Sequence, residues 1–214
     1  MKKPNGYTTF ENAHIVCIVT GFSRKSQNIK TGPMLQSFII PKMGPLQARA
    51  SGLQAIVCGD CPLQASVCYV EVGKSVQGVW NAWVKGRYPK LNDFSVLQGK
   101  RLRIGSWGDP AFIPAVVWKS LVQATGEKNT GYTHQWRKHT AQGLVDLVMA
   151  SCDSAEEQIE ASKKGWRTFR VIGKGHATFR DEIICPAESR GTTCHSCRLC
   201  NGKGQAKSVA ITIH

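Results

Sequence analysis

Cys58, Cys61 and Cys68 fall within eleven residues, in the stretch CGDCPLQASVCY, and Cys194, Cys197 and Cys200 form a second run that follows Cys185-Pro186. Of the nine cysteines only Cys17 and Cys152 stand outside these two groups. Thiolates at such spacing gather round metal. The C-terminal Cys-x2-Cys-x2-Cys run suits three corners of a cubane, and ferredoxin-type sites draw a further ligand from a distant Cys-Pro, so Cys185, Cys194, Cys197 and Cys200 are predicted to hold a 4Fe-4S cluster. Zinc is the alternative metal, although structural zinc draws more often on two separated Cys-x2-Cys knuckles. His195, inside the run, is not needed as a ligand. In the first group Gly59, Asp60 and Pro62 supply the turn that wraps a loop round a centre. With only three local thiols, it either borrows Cys152 or leaves one iron open to an external ligand.

The surrounding elements must bring these residues together. His14 to Val19 and Met34 to Ile40 are β-branched runs that read as strands, with Cys17 a buried, inert thiol in the first. Residues 1 to 12 read as a loose polar leader. Gln54 to Val57 reads as a strand delivering Cys58, and Tyr69 to Val72 as extended chain. Ser75 is expected to cap a helix whose Val76, Val79, Trp80, Trp83 and Val84 share one apolar face, closed by Gly86. From residue 100 strand and helix alternate. Leu102 to Gly105 is a strand, and a helix beginning at Asp109-Pro110 or Ile113-Pro114 runs to Gly126. Tyr132 to Trp136 and Leu144 to Ala150 are strands, Asp153 caps a helix with Glu156 in a capping box, and Trp166 to Ile172 is the next strand. The pattern predicts an α/β fold with a mainly parallel sheet, curled into a partial barrel, over residues 1–184, and a cysteine-rich metal-binding segment with a final strand over 185–214. Chemistry in such sheets lies outside the carboxyl ends of the strands. Ser106 to Asp109, His134 to Arg137, Ser151 to Asp153 and the first cysteine loop are all expected there.

The 28 Lys and Arg against 14 Asp and Glu give a formal charge of +14, the balance of a protein that meets polyanions. Seven thiolates on two iron-sulfur cores of about +2 each would still leave roughly +11. DNA or RNA is therefore an expected partner, a host protein the alternative, and Arg137, Arg167 and Arg170 the expected polyanion surface. No apolar run is long enough for a signal peptide or a bilayer span, so a cytoplasmic protein is expected.

Two resemblances add to this reading. A three-cysteine loop near the start of an α/β sheet, with the aromatic Tyr69 after the last cysteine, resembles radical SAM enzymes, whose usual spacing is Cys-x3-Cys-x2-Cys. That resemblance implies an open cluster iron on Cys58, Cys61 and Cys68 that binds S-adenosylmethionine, with Gly108-Asp109-Pro110 matching the segment that holds the methionyl amine. Over nearly the whole length, NIKTGPMLQSFI, CGDCP, CYV, RIGSWGDPAFIP, GYTHQWR, ASCDS, GWRTFRV, and ICPA with TCHSCRLC resemble a bacteriophage family called gene product 88. This implies a phage metal-binding protein working in the host cell cytoplasm, and brings no reaction with it. The leading expectation is a radical-SAM-like enzyme modifying a nucleic acid or another polyanion, with His134, Arg137 and Arg170 facing substrate. The alternative is a non-catalytic iron-sulfur or zinc protein binding nucleic acid or a host protein.

Overall fold

The structure is a computed structural model and describes residues 3–26, 28–64, 68–204 and 206–213. Ala65, Ser66 and Val67, inside the first cysteine loop, lie outside the described residues. In chain order the elements are β1 (Gly6–Glu11), β2 (Ile15–Thr20), β3 (Leu35–Pro41), α1 (Pro45–Ala50), α2 (Ala55–Cys58), α3 (Gln77–Val84) and β4 (Leu102–Trp107). There follow α4 (Ala115–Ala124), β5 (Asn129–Thr133), β6 (Met149–Cys152), α5 (Ala155–Lys163), β7 (Thr168–Ile172), β8 (Glu182–Ile184), α6 (Pro186–Ser189), α7 (Cys194–Cys197) and β9 (Ser208–Thr212).

Among the described residues nine strands form one mixed sheet in the order β1-β2-β3-β4-β5-β6-β7-β9-β8, with β1 and β8 at its two edges, so it is not closed. The pairs β1–β2 and β2–β3 are antiparallel and every later pair is parallel. The α/β class and the mainly parallel sheet agree with the sequence. β2 (IVCIVT) and β3 (LQSFIIP) are buried at every residue, as apolar runs must be when both faces of a strand are covered. Side chains alternate across the sheet. One face carries Leu102, Ile104, Ala150 and Cys152 into the main core, beside Trp118, Leu121 and Trp136. The other carries Met149 and Val209 into a smaller core with Tyr132, Phe169, Leu199 and Cys200, which the C-terminal segment covers. Among the described residues no helix is long and apolar enough to cross a membrane.

Several expectations are corrected. Residues Gly6–Glu11 are an edge strand, because Tyr7, Thr8 and Phe10 pair with β2 despite polar neighbours, with a bulge at Thr9. Gln54 to Val57 is no strand; Ala55–Cys58 is a helical turn, and Cys58 leaves a helix end. The extended chain expected over Tyr69 to Val72 ends one residue early, at Glu71, and a π-turn, Val72–Val76, runs straight into α3 with no side-chain cap from Ser75. Val84 is exposed, so the apolar face of α3 is narrower than its spacing suggested. Tyr132 to Trp136 begins too late, since β5 ends at Thr133, and in Leu144 to Ala150 the strand proper starts at Met149. The cap of α5 is Ser154, whose hydroxyl accepts from the Glu157 amide, while the Glu157 carboxylate accepts from the Asp153 amide at 2.7 Å. The cap is displaced by one residue from the expected position, and the carboxylate three residues on closes onto the amide before the cap instead of the cap's own.

Candidate metal centres and the strand-end site

At the carboxyl end of β4 the chain turns through Gly108, at φ 79°, where a Cβ would lie 2.6 Å from the Ile39 carbonyl oxygen. Only glycine fits there, and the reason is backbone packing, not a ligand. Asp109 follows. Its amide donates to the Val57 carbonyl at 2.6 Å. Its carboxylate accepts from the Ala111 amide at 2.9 Å, the Thr133 hydroxyl at 2.7 Å and the His134 amide at 2.8 Å. Asp109 thus ties α2, β4 and β5 together. Burial, the largest influence, holds its carboxyl above the ordinary range in spite of these donors. A buried carboxylate with this many internal partners acts as a clasp, a role for Asp109 that the sequence did not show. Asp109→Asn turns an acceptor into a donor against at least one of the groups it now binds. We expect denaturant unfolding to show a loss of about 1–3 kcal/mol.

The clasp sets His134 over the first cysteine loop. His134 Nε2 lies 4.0 Å from Cys61 Sγ and 3.4 Å from Asp153 Oδ2. Burial alone would lower the imidazole pKa, but Asp153 and Cys61 outweigh it and push it up to about 10. Gln135 donates to the Cys58 carbonyl at 3.3 Å, and Gly59 lies so close to the Gln135 amide that a Cβ would fall within 2.6 Å of it. Cys58, Cys61 and Cys68 are electrostatic neighbours; burial first, then the other two cysteines and Asp109, push the Cys58 thiol up to about 12. Cys152 does not join them. Its thiol donates to the Ala150 carbonyl at 3.7 Å, and its charged neighbours are Glu157, Asp153, Arg137 and Glu182. Beside the loop is a polar cavity of about 130 Å³, lined by Asp60, His134, Arg137, Lys138, Asp153 and Glu157 among others. The strand-end loops therefore converge as the alternation of strands and helices implied.

The three arginines expected to meet substrate or polyanion are engaged internally. Arg137 reaches the cavity wall, but Glu157 at 2.9 Å and Glu160 at 2.7 Å already meet its charge, and it stacks 4.0 Å over Trp136. Arg170 is buried against Glu182, which it grips through Nε at 2.9 Å and Nη2 at 2.6 Å. Arg167 donates to the carbonyls of Leu199, Lys203, Ala206 and Lys207 and to the Asn201 side chain. Arg167 and Arg170 are thus committed to internal partners, while Arg137 keeps a side-chain exposure of 44% beside its two glutamates.

On the other face, Cys185, Cys194, Cys197 and Cys200 line one pocket with Thr130, Pro186 and Leu199. Cys185 precedes α6, Cys194 and Cys197 sit on the single turn of α7, and Thr193 caps that turn by accepting from the Ser196 amide. Arg198, in the left-handed region at φ 62°, swings the chain so that the Cys200 carbonyl accepts from the Gly131 amide at 2.9 Å. No cysteine is in a disulfide. Burial pushes the Cys200 thiol up to about 12, against a hydrogen bond with Tyr132, and raises that of Cys194, with Arg103 pulling the other way. Among the described residues no three His, Cys, Asp or Glu side chains are gathered so as to hold a metal ion as they stand. A single tetrahedral zinc would need its thiolates roughly 3.8 Å apart, from Zn–S bonds of about 2.3 Å. The four thiols lie along one pocket without that convergence.

Sequence reasoning did not single out Arg103, one of the arginines nearest these thiols. It is buried in β4, with Leu102 and Ile104 turned to the opposite face, and it donates to the Tyr69 hydroxyl. The groups acting on its charge are Tyr69, Tyr132 and Cys194, with no carboxylate among them. A cation between two core positions of an inner strand was the signal that could have found it. No protein-family model, curated protein or solved structure matches the chain.

Proposed function

We propose that the protein is an iron-sulfur protein, with a cluster on Cys185, Cys194, Cys197 and Cys200, that binds nucleic acid and does not act on it. The observation that carries the metal is the pair of buried guanidiniums, Arg103 and Arg167, on the face that the cysteine segment covers. The groups acting on them include Cys194 for Arg103 and Cys200 for Arg167, and no carboxylate. A buried cation without an anion costs several kcal/mol. Four thiolates on a core of about +2 carry about −2, which would balance both. Zinc on four thiolates carries the same charge, so the buried cations call for a thiolate centre, and the Cys-x2-Cys-x2-Cys run with Cys185-Pro186 is what favours iron. The resemblance to the phage family is in keeping with a metal-binding protein in a host cytoplasm. Protein purified without oxygen should contain iron and acid-labile sulfide in equal amounts and absorb as a brown cluster. Zinc alone, bound stoichiometrically, would overturn the iron assignment.

A second reading has one observation in its favour. Cys58, Cys61 and Cys68 neighbour one another while Cys152 is engaged elsewhere, beside a cavity. This supports a centre with a coordination position left open, as a radical-SAM-like enzyme on a partly barrel-like sheet would need. Bound S-adenosylmethionine would supply the radical chemistry. If S-adenosylmethionine leaves the paramagnetic resonance of the reduced protein unaltered, this reading falls.

A further inference from the structure

The cations engaged round the strand-end site leave the excess positive charge to be found elsewhere, and much of it gathers at the amino ends of the strands. Asn5 Oδ1 accepts from the Arg24 amide at 2.7 Å, fixing the turn that carries Arg24 and Lys25. The Lys30 and Thr31 carbonyls, farther along the same loop, accept from the amides of Cys194 and His195 at 2.9 and 3.0 Å, so the loop and α7 are fastened side by side. Arg101 joins them at the head of β4, its carbonyl accepting from the Leu35 amide at 2.8 Å. Gly6 on β1 meets the Tyr88 ring, and Thr8 donates to the Tyr88 carbonyl at 3.1 Å.

Two groups of cations result. Arg24 and Arg87 act on the half-buried Tyr88 phenol, though burial is the stronger influence on it. Arg101, Arg198 and Lys25 gather round His195, because Gly32 packs against its side chain, so that a Cβ there would lie 3.2 Å from the His195 Cβ, and three residues on Leu35 holds the head of β4. The adjacency of Arg24 and Lys25 in the chain makes the two groups one track. Among the described residues none of these five cations is paired with a carboxylate. Glu127, near the head of β5, is held by Lys203 at 2.7 Å.

We infer that this amino-end track, Arg24, Lys25, Arg87, Arg101 and Arg198 with the rings of Tyr88 and His195 set among them, binds the phosphate backbone of a single-stranded nucleic acid. Cations without acid partners suit phosphates, and partly exposed rings between them offer stacking faces that tolerate any base. The inference rests on the reading that the partner is a nucleic acid, and it puts contact at the amino ends of the strands, the opposite ends from Asp109 and His134.

The test measures binding of a fluorescent single-stranded oligonucleotide, and of the matching duplex, across a range of salt. Lys25→Glu with Arg198→Glu is compared with Lys85→Glu with Lys119→Glu, exposed positions outside the track that change the net charge equally. Circular dichroism and metal content confirm that each variant is folded. The track variant should bind at least tenfold more weakly than the control variant, with a shallower salt slope, by about 0.7 for each phosphate it no longer neutralises. Equal weakening in both pairs, or tighter binding of the duplex, overturns the track while leaving a nucleic-acid partner standing. If the wild-type protein binds neither oligonucleotide at low salt, the nucleic-acid reading itself falls, whatever the iron content.

Discussion

Glu182→Ala should lower the stability of the fold by about 3–5 kcal/mol, the usual consequence of stranding one half of a buried ion pair. Side-chain exposure is 7% for Arg170 and 0% for Glu182, so water cannot replace the missing carboxylate. Glu182 also accepts from the Phe179 amide at 2.9 Å, and Arg170 lies 4.6 Å from the centre of the Phe179 ring, so the same substitution loosens the turn that enters β8. Against a total stability of about 5–15 kcal/mol this is a large fraction. The companion variant, Arg170→Met with Glu182→Leu, removes both charges and should recover most of the loss, because replacing a whole buried pair by apolar groups is often neutral. Urea unfolding of the three proteins checks this. A single-variant loss below about 1 kcal/mol would show that Arg170 finds another partner.

The second large effect follows from the cations at the cysteine segment. In the metal-loaded protein Arg103→Leu should be destabilising, because a thiolate centre then loses the guanidinium beside Cys194. In Cys200→Ser, which removes a buried thiol of the set, the centre should be lost and the melting temperature should drop sharply. Adding Arg103→Leu to that variant should raise the melting temperature again, since a buried cation without its anion is the costlier state. The change of sign is the result to look for. If Arg103→Leu destabilises both backgrounds equally, its bond to the Tyr69 hydroxyl explains the residue and nothing is left to require an anionic centre.

The apolar strands were the most legible part of the sequence, because β2 and β3 are buried on both faces and show unbroken runs of branched side chains. β1 was hidden because an edge strand needs few apolar residues: Thr8 and Thr9 read as loop, yet Thr8 pairs with Ile18 of β2 and Thr9 forms the bulge beside it. Ala55–Cys58 was misread for a different reason, since four apolar residues carry no period that separates a helical turn from a strand. At the site, the gathering of loops at the strand ends followed from topology. The roles of the charges did not. Arg137 reads as a surface cation until Glu157 and Glu160 are seen on the next helix, and Arg170 reads the same until Glu182 is found in a strand two places away in the sheet. Long-range pairing of this kind leaves no local spacing to detect.

The position of β9 also bears on how the chain is made. It lies between β7 and β8, and β8 pairs with no other strand. During translation every earlier strand can leave the ribosome and still leave this edge unformed, with Val209 and Ala210 not yet buried and β8 lacking a neighbour. A chain lacking β9 would therefore expose the inner edge of β7 and both edges of β8, where this end of the complete sheet exposes only the outer edge of β8, and an open edge is where aggregation starts.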